Sequence, residues 1–302
     1  MPMARALVTG GAGFIGSHLT DHLISLGHDV IVLDNLLLGK REFVNEKATF
    51  HEGDIRDLPL LKELCKGVDV VFHLAADPRL PISIEDPSET HDVNVTGTLN
   101  VFIAAKDAGV KKVVFTSTCA VYGDQELPIR EDMVPVPKSP YGLHKLMGEQ
   151  YAQLFHELYG LSTVSLRYFN VYGPRKTAEG GYPMVIPIFL AQRQRNEAMT
   201  IVGDGEQTRD YVHVSDVVRA NILAWESDVV DGQPCNIGSG EQVSVNAISQ
   251  FISGESVHIP ERQGEMRFIE SDSTRAKDLL SWEPTMPFLE GLASLKQEWL
   301  GE

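Results

Sequence analysis

Two short stretches of the chain hold residues whose types and spacing could do chemistry. The first is "VTGGAGFIGSH", Val8 to His18, with four glycines between Gly10 and Gly16. Glycines this dense, where an apolar run hands over to a helix-period pattern, let an anion come close to the backbone. The run fits a dinucleotide fingerprint as Gly11-x-Gly13-x-x-Gly16 or, with wider first spacing, as Gly10-x-x-Gly13-x-x-Gly16. One glycine makes a tight turn, one admits a pyrophosphate, and one lets helix and strand pack closely. Asp34 ends the next apolar run at about the expected distance. A carboxylate there accepts hydrogen bonds from a ribose diol and repels a 2′-phosphate, so NAD is expected over NADP. Taken alone, Asp34 reads equally well as a strand-end turn residue; the glycines upstream decide. Lys40 and Arg41 could reach a 2′-phosphate, but beside Asp34 they read as a solvated loop.

The second stretch is "SPYGLHK". Ser139 can cap a helix and Pro140 suits its first position, which puts Tyr141 and Lys145 one turn apart on one face. A phenol with a pKa of ~10 is a poor base at neutral pH. A nearby ammonium, joined by the positive charge of an oxidised nicotinamide, favours the phenolate. Such a tyrosine could take a proton from a sugar hydroxyl as hydride leaves the same carbon, while Lys145 also holds the cofactor's ribose. Tyr-x-x-x-Lys alone describes many amphipathic helices. Its setting gives it weight here: the preceding strand-like run ends in the hydroxyls Thr116, Ser117 and Thr118. Ligands of open α/β sheets sit at that carboxyl end of the strands.

The elements that must position these groups alternate along the first half. "RALVTG", "DVIVLDN", "TFHEGD", "DVVFHLAA", "KKVVFTST" and "STVSLRYFN" read as strands. "FIGSHLTDHLISLG", "LPLLKELCKG", Val93 to Ala108 and "YGLHKLMGEQYAQLFHELYG" read as helices, with Gly27 and Gly109 as stops. The expected class is therefore α/β, a Rossmann-type doubly wound parallel sheet covered on both faces. After Pro174, "RKTAEGGYP" is a loop, and short elements with many Gly and Pro follow. These predict a smaller, discontinuous lobe over the carboxyl edge of the sheet. Residues 1–172 form the cofactor-binding domain, with 211–238 returning to the sheet through "VHVSDVVRANILAW" and "PCNIGSG"; 173–210 and 239–302 form the lobe.

The chain of 302 residues is long enough for one large or two-lobed core. A net charge of −16 argues against nucleic acid or an anionic membrane surface as partner. Cys65, Cys119 and Cys235 are scattered and odd in number, with neither a disulfide framework nor a metal spacing. With the first strand starting almost at once, a signal peptide has no room, and a reducing cytoplasmic setting is expected. No unbroken apolar run is long enough to span a bilayer.

The sequence resembles the extended short-chain dehydrogenase/reductases, and within them the NAD-dependent nucleotide-sugar epimerases and dehydratases. The resemblance runs through "TGGAGFIG", "DNLLLG", "GDIRD", "HLAA", "NVTGTLNV", "TSTCAVYG", "SPYGLHK", "RYFNVYGPR", "GDGEQTRDYVHVSD", "NIGSG" and "ERQGEMRFIESDSTRAKDLLSWEP". It implies that Thr118 hydrogen-bonds the reacting hydroxyl, Tyr141 is the acid/base and Lys145 tunes it. It implies an NAD site made by Gly10, Gly13, Phe14, Ile15 and Gly16, then Asp34, Asn35, Leu36 and Gly39. Asp54 and Ile55 flank the adenine, Leu74, Ala75 and Asn94 line the cofactor, and Tyr168 and Phe169 lie near the nicotinamide. Asn170, Arg209 and Arg262 hold the substrate's diphosphate; arginine forks suit phosphate oxygens.

The dehydratase branch carries an Asp–Glu pair where this chain has Cys119 and Ala120, and decarboxylating members also tend to carry an acid there. Epimerisation remains, most simply at C4 of a UDP-hexose with retained NAD. Cys119 lies one residue away from the place of a cysteine acid/base in other epimerases and reads as a small buried residue. Ile269 falls where family members restrict or admit an N-acetyl group, and Glu265 replaces a usual Asp. Two alternatives stay open, a nucleotide-sugar reductase that releases reduced cofactor and a non-catalytic NAD-binding sensor. The helices Val93–Ala108 and Tyr141–Gly160 carry a second apolar face, which in this family makes a homodimer.

Overall fold

A computed structural model of the chain describes residues 3–178, 184–261 and 267–302. The first half runs β1 (Arg5–Thr9), α1 (Phe14–Ser25), β2 (Asp29–Asp34), β3 (Thr49–Glu52), α2 (Leu58–Leu64), β4 (Val70–His73), α3 (Leu80–Glu85), α4 (Pro87–His91), α5 (Thr98–Ala108) and β5 (Lys112–Thr118). Then come α6 (Pro140–Tyr159), β6 (Ser162–Tyr168), β7 (Asn170–Tyr172), α7 (Val185–Gln194), β8 (Met199–Val202), β9 (Thr208–His213) and α8 (Val214–Glu226). The chain closes with β10 (Gln233–Ile237), β11 (Gln242–Ser244), α9 (Val245–Ile252), β12 (Ser256–Ile259), α10 (Thr274–Leu280) and α11 (Phe288–Leu300).

Seven strands form one sheet in the order β10-β6-β5-β4-β1-β2-β3. Every pairing in it is parallel. Strand side chains alternate between two cores, as period two requires. Ala6, Val8, Val30, Val32, Val70 and Phe72 face the layer containing α1 and α8. Leu7, Ile31, Leu33, Val71, Val113 and Phe115 face the layer of α2, α5 and α6. Strand order reverses between β1 and β4, and the crevice at that switch point is where such sheets take ligands.

Three expectations shift. The strand expected over "STVSLRYFN" breaks at Phe169: its amide bonds the Ile237 carbonyl at 3.0 Å, and β7 turns off into a three-stranded sheet with β9 and β11. Of the segment 211–238, only β10 joins the main sheet; β9 pairs with β7 and β11, and α8 returns as a cover helix. The helix expected from Val93 opens as a wider π-helical turn over Asp92–Gly97 before α5. There Asn94 exchanges hydrogen bonds with the Asp77 backbone at 2.7 and 2.9 Å, which ties the turn to the loop after β4.

The smaller core packs α7, α9 and α11 around Tyr172, Tyr211 and Phe288. Among the described residues no helix is long and apolar enough to cross a membrane.

Candidate active site

A cleft of about 760 Å³ opens along the carboxyl ends of β1, β2, β4, β5 and β6, near the upper end of ligand-site volumes. At one end lie Gly10, Gly13, Phe14, Ile15 and Gly16. Gly10 has φ +73°, and a Cβ there would meet the Ala75 amide at 2.7 Å. Gly16 lies so close to Gly10 that a Cβ would fall 2.2 Å from its carbonyl oxygen. Gly11 packs on Val32 beneath, so the wider spacing, Gly10-x-x-Gly13-x-x-Gly16, is the one that faces the cleft. Gly13 is the N-cap of α1 and no side chain caps it, which leaves the first-turn amides for a ligand.

Asp34 is 8 % exposed at the end of β2. Its carboxylate accepts from the amides of Ala12 at 2.9 Å and Leu36 at 2.8 Å. Burial raises its pKa, opposed by those two amides. Asn35 and Gly39 line the cleft beside it, as do Ile55, Leu74 and Ala75 further along.

Three expected contacts stand off the cleft wall. Leu36 turns away at φ +58° and packs against the core. Asp54 is held by the Arg56 guanidinium and the Asn35 amide, which bring its carboxyl down to about 2. Asn94 is buried behind the loop that it ties to α5. Arg41 stacks over Phe50 at 4.4 Å, off the cleft; Lys40, 3.7 Å from Glu42, lines the cleft next to Gly39.

At the centre, β5 delivers Thr116 and Thr118 to the cleft and α6 delivers Tyr141 and Lys145. Helix α6 starts as its sequence dictates: Ser139 Oγ accepts from the Gly142 amide at 3.1 Å, and Pro140 takes the first turn. The Tyr141 amide donates to Ser83 Oγ at 3.3 Å, so α3 braces this turn. Thr118 lies beside the Tyr141 phenol and favours its ionised form, against the effect of burial. Lys145 Nζ donates to the Thr116 carbonyl at 2.9 Å and lies 5.0 Å over the Phe115 ring.

Burial brings Lys145 down to about 7, with Glu149 pulling it back up. Burial pushes the Tyr141 phenol up, and the thiol of Cys119 adds to that. The expected acidification of the phenol by Lys145 is therefore not supplied by the protein's own charges: the lysine is desolvated and turned to a carbonyl. Cys119, also on the wall, is pushed up to about 12 by burial.

Beneath these groups lies a network that the sequence reading missed. Arg167 on β6 makes a bidentate pair with Glu149 at 2.6 and 2.8 Å, and its third nitrogen reaches Tyr122 Oη at 2.7 Å. Ser117 donates to Glu149, and Tyr122 donates to Asn236 on β10 at 2.6 Å. Glu149 sits one turn past Lys145, a spacing visible in the sequence; its partner, on the next strand, is not. Glu149→Gln leaves a buried guanidinium without its charge partner, and should cost about 3–5 kcal/mol in urea unfolding. A loss under 1 kcal/mol would contradict this account of the network.

At the far end, Tyr168 and Phe169 line the cleft with Asn170, Arg209 and Ile269. The Tyr168 hydroxyl accepts from Asn221 at 2.7 Å, and burial brings it to about 12. Asn170 Nδ2 donates to the Asp210 carbonyl at 3.1 Å, which joins β7 to β9. Asp210, also missed, is fully buried and accepts from the amides of Ser239, Gly240 and Ser271 at 2.7–3.0 Å. Its partners lie in "NIGSG" and beyond, too far along the chain to be paired by spacing. Ile269 packs with Val121, Tyr122, Ile129 and Phe169. Arg262 and Glu265 lie outside the described residues.

The model of the NAD dependent epimerase/dehydratase family matches residues 6–238. The chain belongs to that family. It is 39 % identical over 303 residues to the UDP-glucose 4-epimerase of Mycolicibacterium smegmatis, covering 96 % of each chain. It is similar to the Thermotoga maritima UDP-glucose 4-epimerase crystallised with UDP-glucose: TM-score 0.93, 41 % identity and 98 % coverage of both chains. It is also similar to the UDP-N-acetylglucosamine 4-epimerase of Methanobrevibacter ruminantium in complex with UDP-N-acetylmuramic acid: TM-score 0.94, 37 % identity, covering 100 % and 99 %. The cofactor is NAD, and the cleft fits it. An uncapped helix end meets a backbone that no Cβ could occupy, and a desolvated carboxylate ends the neighbouring strand.

Proposed function

We propose that this protein is an NAD-dependent UDP-sugar 4-epimerase, interconverting UDP-glucose and UDP-galactose or their N-acetyl forms. One observation carries the reading. Thr118, Tyr141 and Lys145 meet on one wall of the cleft, with Asn170 and Arg209 beyond them, and positions 119 and 120 supply no carboxylate. Elimination of water needs an acid there; epimerisation does not.

When bound, NAD would supply a hydride acceptor and, oxidised, a positive charge. Tyr141 takes the proton of the sugar's C4 hydroxyl and returns it to the same oxygen after the sugar has turned. Thr118, on the same wall of the cleft, orients that hydroxyl against Tyr141. Lys145, held by the Thr116 carbonyl, would hold the cofactor ribose. Asn170 and Arg209, with Arg262, hold the diphosphate firmly. The hexose is held loosely and can present either face.

Purified protein should interconvert UDP-glucose and UDP-galactose, or the N-acetyl pair, with no added cofactor. Absence of interconversion of any UDP-hexose or UDP-uronate contradicts the reading.

Residues 1–172 with 211–238 serve the cofactor, and 173–210 with 239–302 the nucleotide sugar. The protein works in the cytoplasm as a homodimer through α5 and α6. In support, Leu143, Leu154, Leu158 and Tyr159 are exposed on α6, Leu158 by 63 %. Light scattering should give twice the 33.3 kDa chain mass, and Leu154→Asp with Leu158→Asp should give the monomer. A monomeric wild type refutes this assembly.

A further inference from the structure

After β7 the chain crosses back onto the cofactor side and is tied to α1. The Pro174 carbonyl bonds His18 Nε2 at 3.0 Å, and Arg175 Nη2 pairs with Asp21 at 2.7 Å. Arg175 adopts φ +64°, a left-handed conformation that costs a non-glycine residue about 1–2 kcal/mol. Strain of this kind persists where the surroundings impose it.

The result brings two cations to the glycine end of the cleft. The Arg175 guanidinium lies 5.7 Å over the Phe43 ring, and Lys176 Nζ lies 5.4 Å over Phe14, the first residue of α1. Arg175 Nη1 is buried with no hydrogen-bond partner. Lys176 is desolvated, and no carboxylate among the described residues faces it. Both residues line the cleft. The uncapped start of α1 is itself positive. A desolvated ammonium beside a second cation and a positive helix end is unfavourable until an anion of high charge joins it.

We propose that Arg175 and Lys176 form a cationic strap over the diphosphate of the bound dinucleotide and hold NAD in the protein through successive turnovers. The proposal rests on NAD occupying this cleft. A diphosphate could also belong to the nucleotide sugar. The strap's ties favour the cofactor: it is pinned to α1 and stacks on Phe14 and Phe43, at the glycine end of the cleft.

The test measures NAD content after gel filtration, the Kd of NAD for stripped protein, and the Kd of UDP as the probe of the other diphosphate. The variants are Lys176→Met and Arg175→Gly. Glycine suits φ +64°, so the second removes the guanidinium without adding backbone strain. Each variant should retain less than half the wild-type NAD and bind it at least tenfold more weakly. UDP affinity should stay within twofold, and Lys176→Arg should restore retention. If Lys176→Met does not fold, Lys176→Gln serves in its place. NAD retention and affinity within twofold of wild type in both variants overturn the proposal. So does a tenfold loss of UDP affinity with NAD unchanged, which would give the strap to the substrate. Wild-type protein that binds no NAD would overturn the cofactor reading itself.

Discussion

Tyr141→Phe should lower kcat for UDP-hexose interconversion by about 10³-fold, within the range for a lost general acid–base group, while the protein still carries NAD. The size of the loss follows from the absence of a substitute among the described residues. His73, under the same crevice, is fully buried with both ring nitrogens on Thr9 and Thr98, and burial brings it to about 3. The Cys119 thiol stands at about 12. The Lys145 ammonium is committed to the Thr116 carbonyl. Thr118 can donate to the substrate but has no charge to take up a proton. Turnover of the variant within tenfold of wild type would place the base elsewhere.

Lys145→Met should lower turnover at least 10²-fold and, unusually for a cleft residue, raise stability at neutral pH. The side chain is 2 % exposed, and burial brings it from the ordinary 10.5 to about 7. Between about pH 7 and 10.5 the unfolded chain therefore binds a proton that the folded protein does not. Stability contributed by this group rises with pH across that window and is at its least favourable below pH 7. Methionine keeps the packing on Phe115 without the charge. The Tm gain of the variant over wild type should be a few degrees at pH 6, shrink through the window, and vanish near its top. Thermal unfolding of both proteins from pH 6 to 10 checks this. A difference that does not change with pH contradicts a desolvated lysine.

What could be read from the sequence was local. The glycines from Gly10 to Gly16, Asp34 at the end of β2, and the Ser139–Pro140 start of α6 each encode their conformation within a few residues. Alternating burial of apolar residues along β1, β2 and β4 gave the doubly covered sheet. What escaped depends on partners far along the chain. Whether β9 joins the main sheet or pairs with β7 cannot be read from its own alternation. Asp210 and Arg167 look like surface charges until Ser239, Ser271, Glu149 and Tyr122 close around them. Asn94 and Asp54 fall at expected positions, yet their hydrogen-bonding groups are taken by Asp77 and Arg56. Lys176 stood in a segment read as loop, and only its approach to Phe14 gives it a place.

The most direct measurement follows deuterium placed at C4 of UDP-galactose, incubated with purified protein in ordinary water and without added nucleotide. Mass and NMR analysis of the product should find UDP-glucose with the label still at C4, because the hydrogen never leaves the cleft while Tyr141 handles the oxygen's proton. Product whose C4 label has been replaced by solvent hydrogen, or no C4 epimer from either UDP-galactose or its N-acetyl counterpart labelled in the same way, would contradict the account.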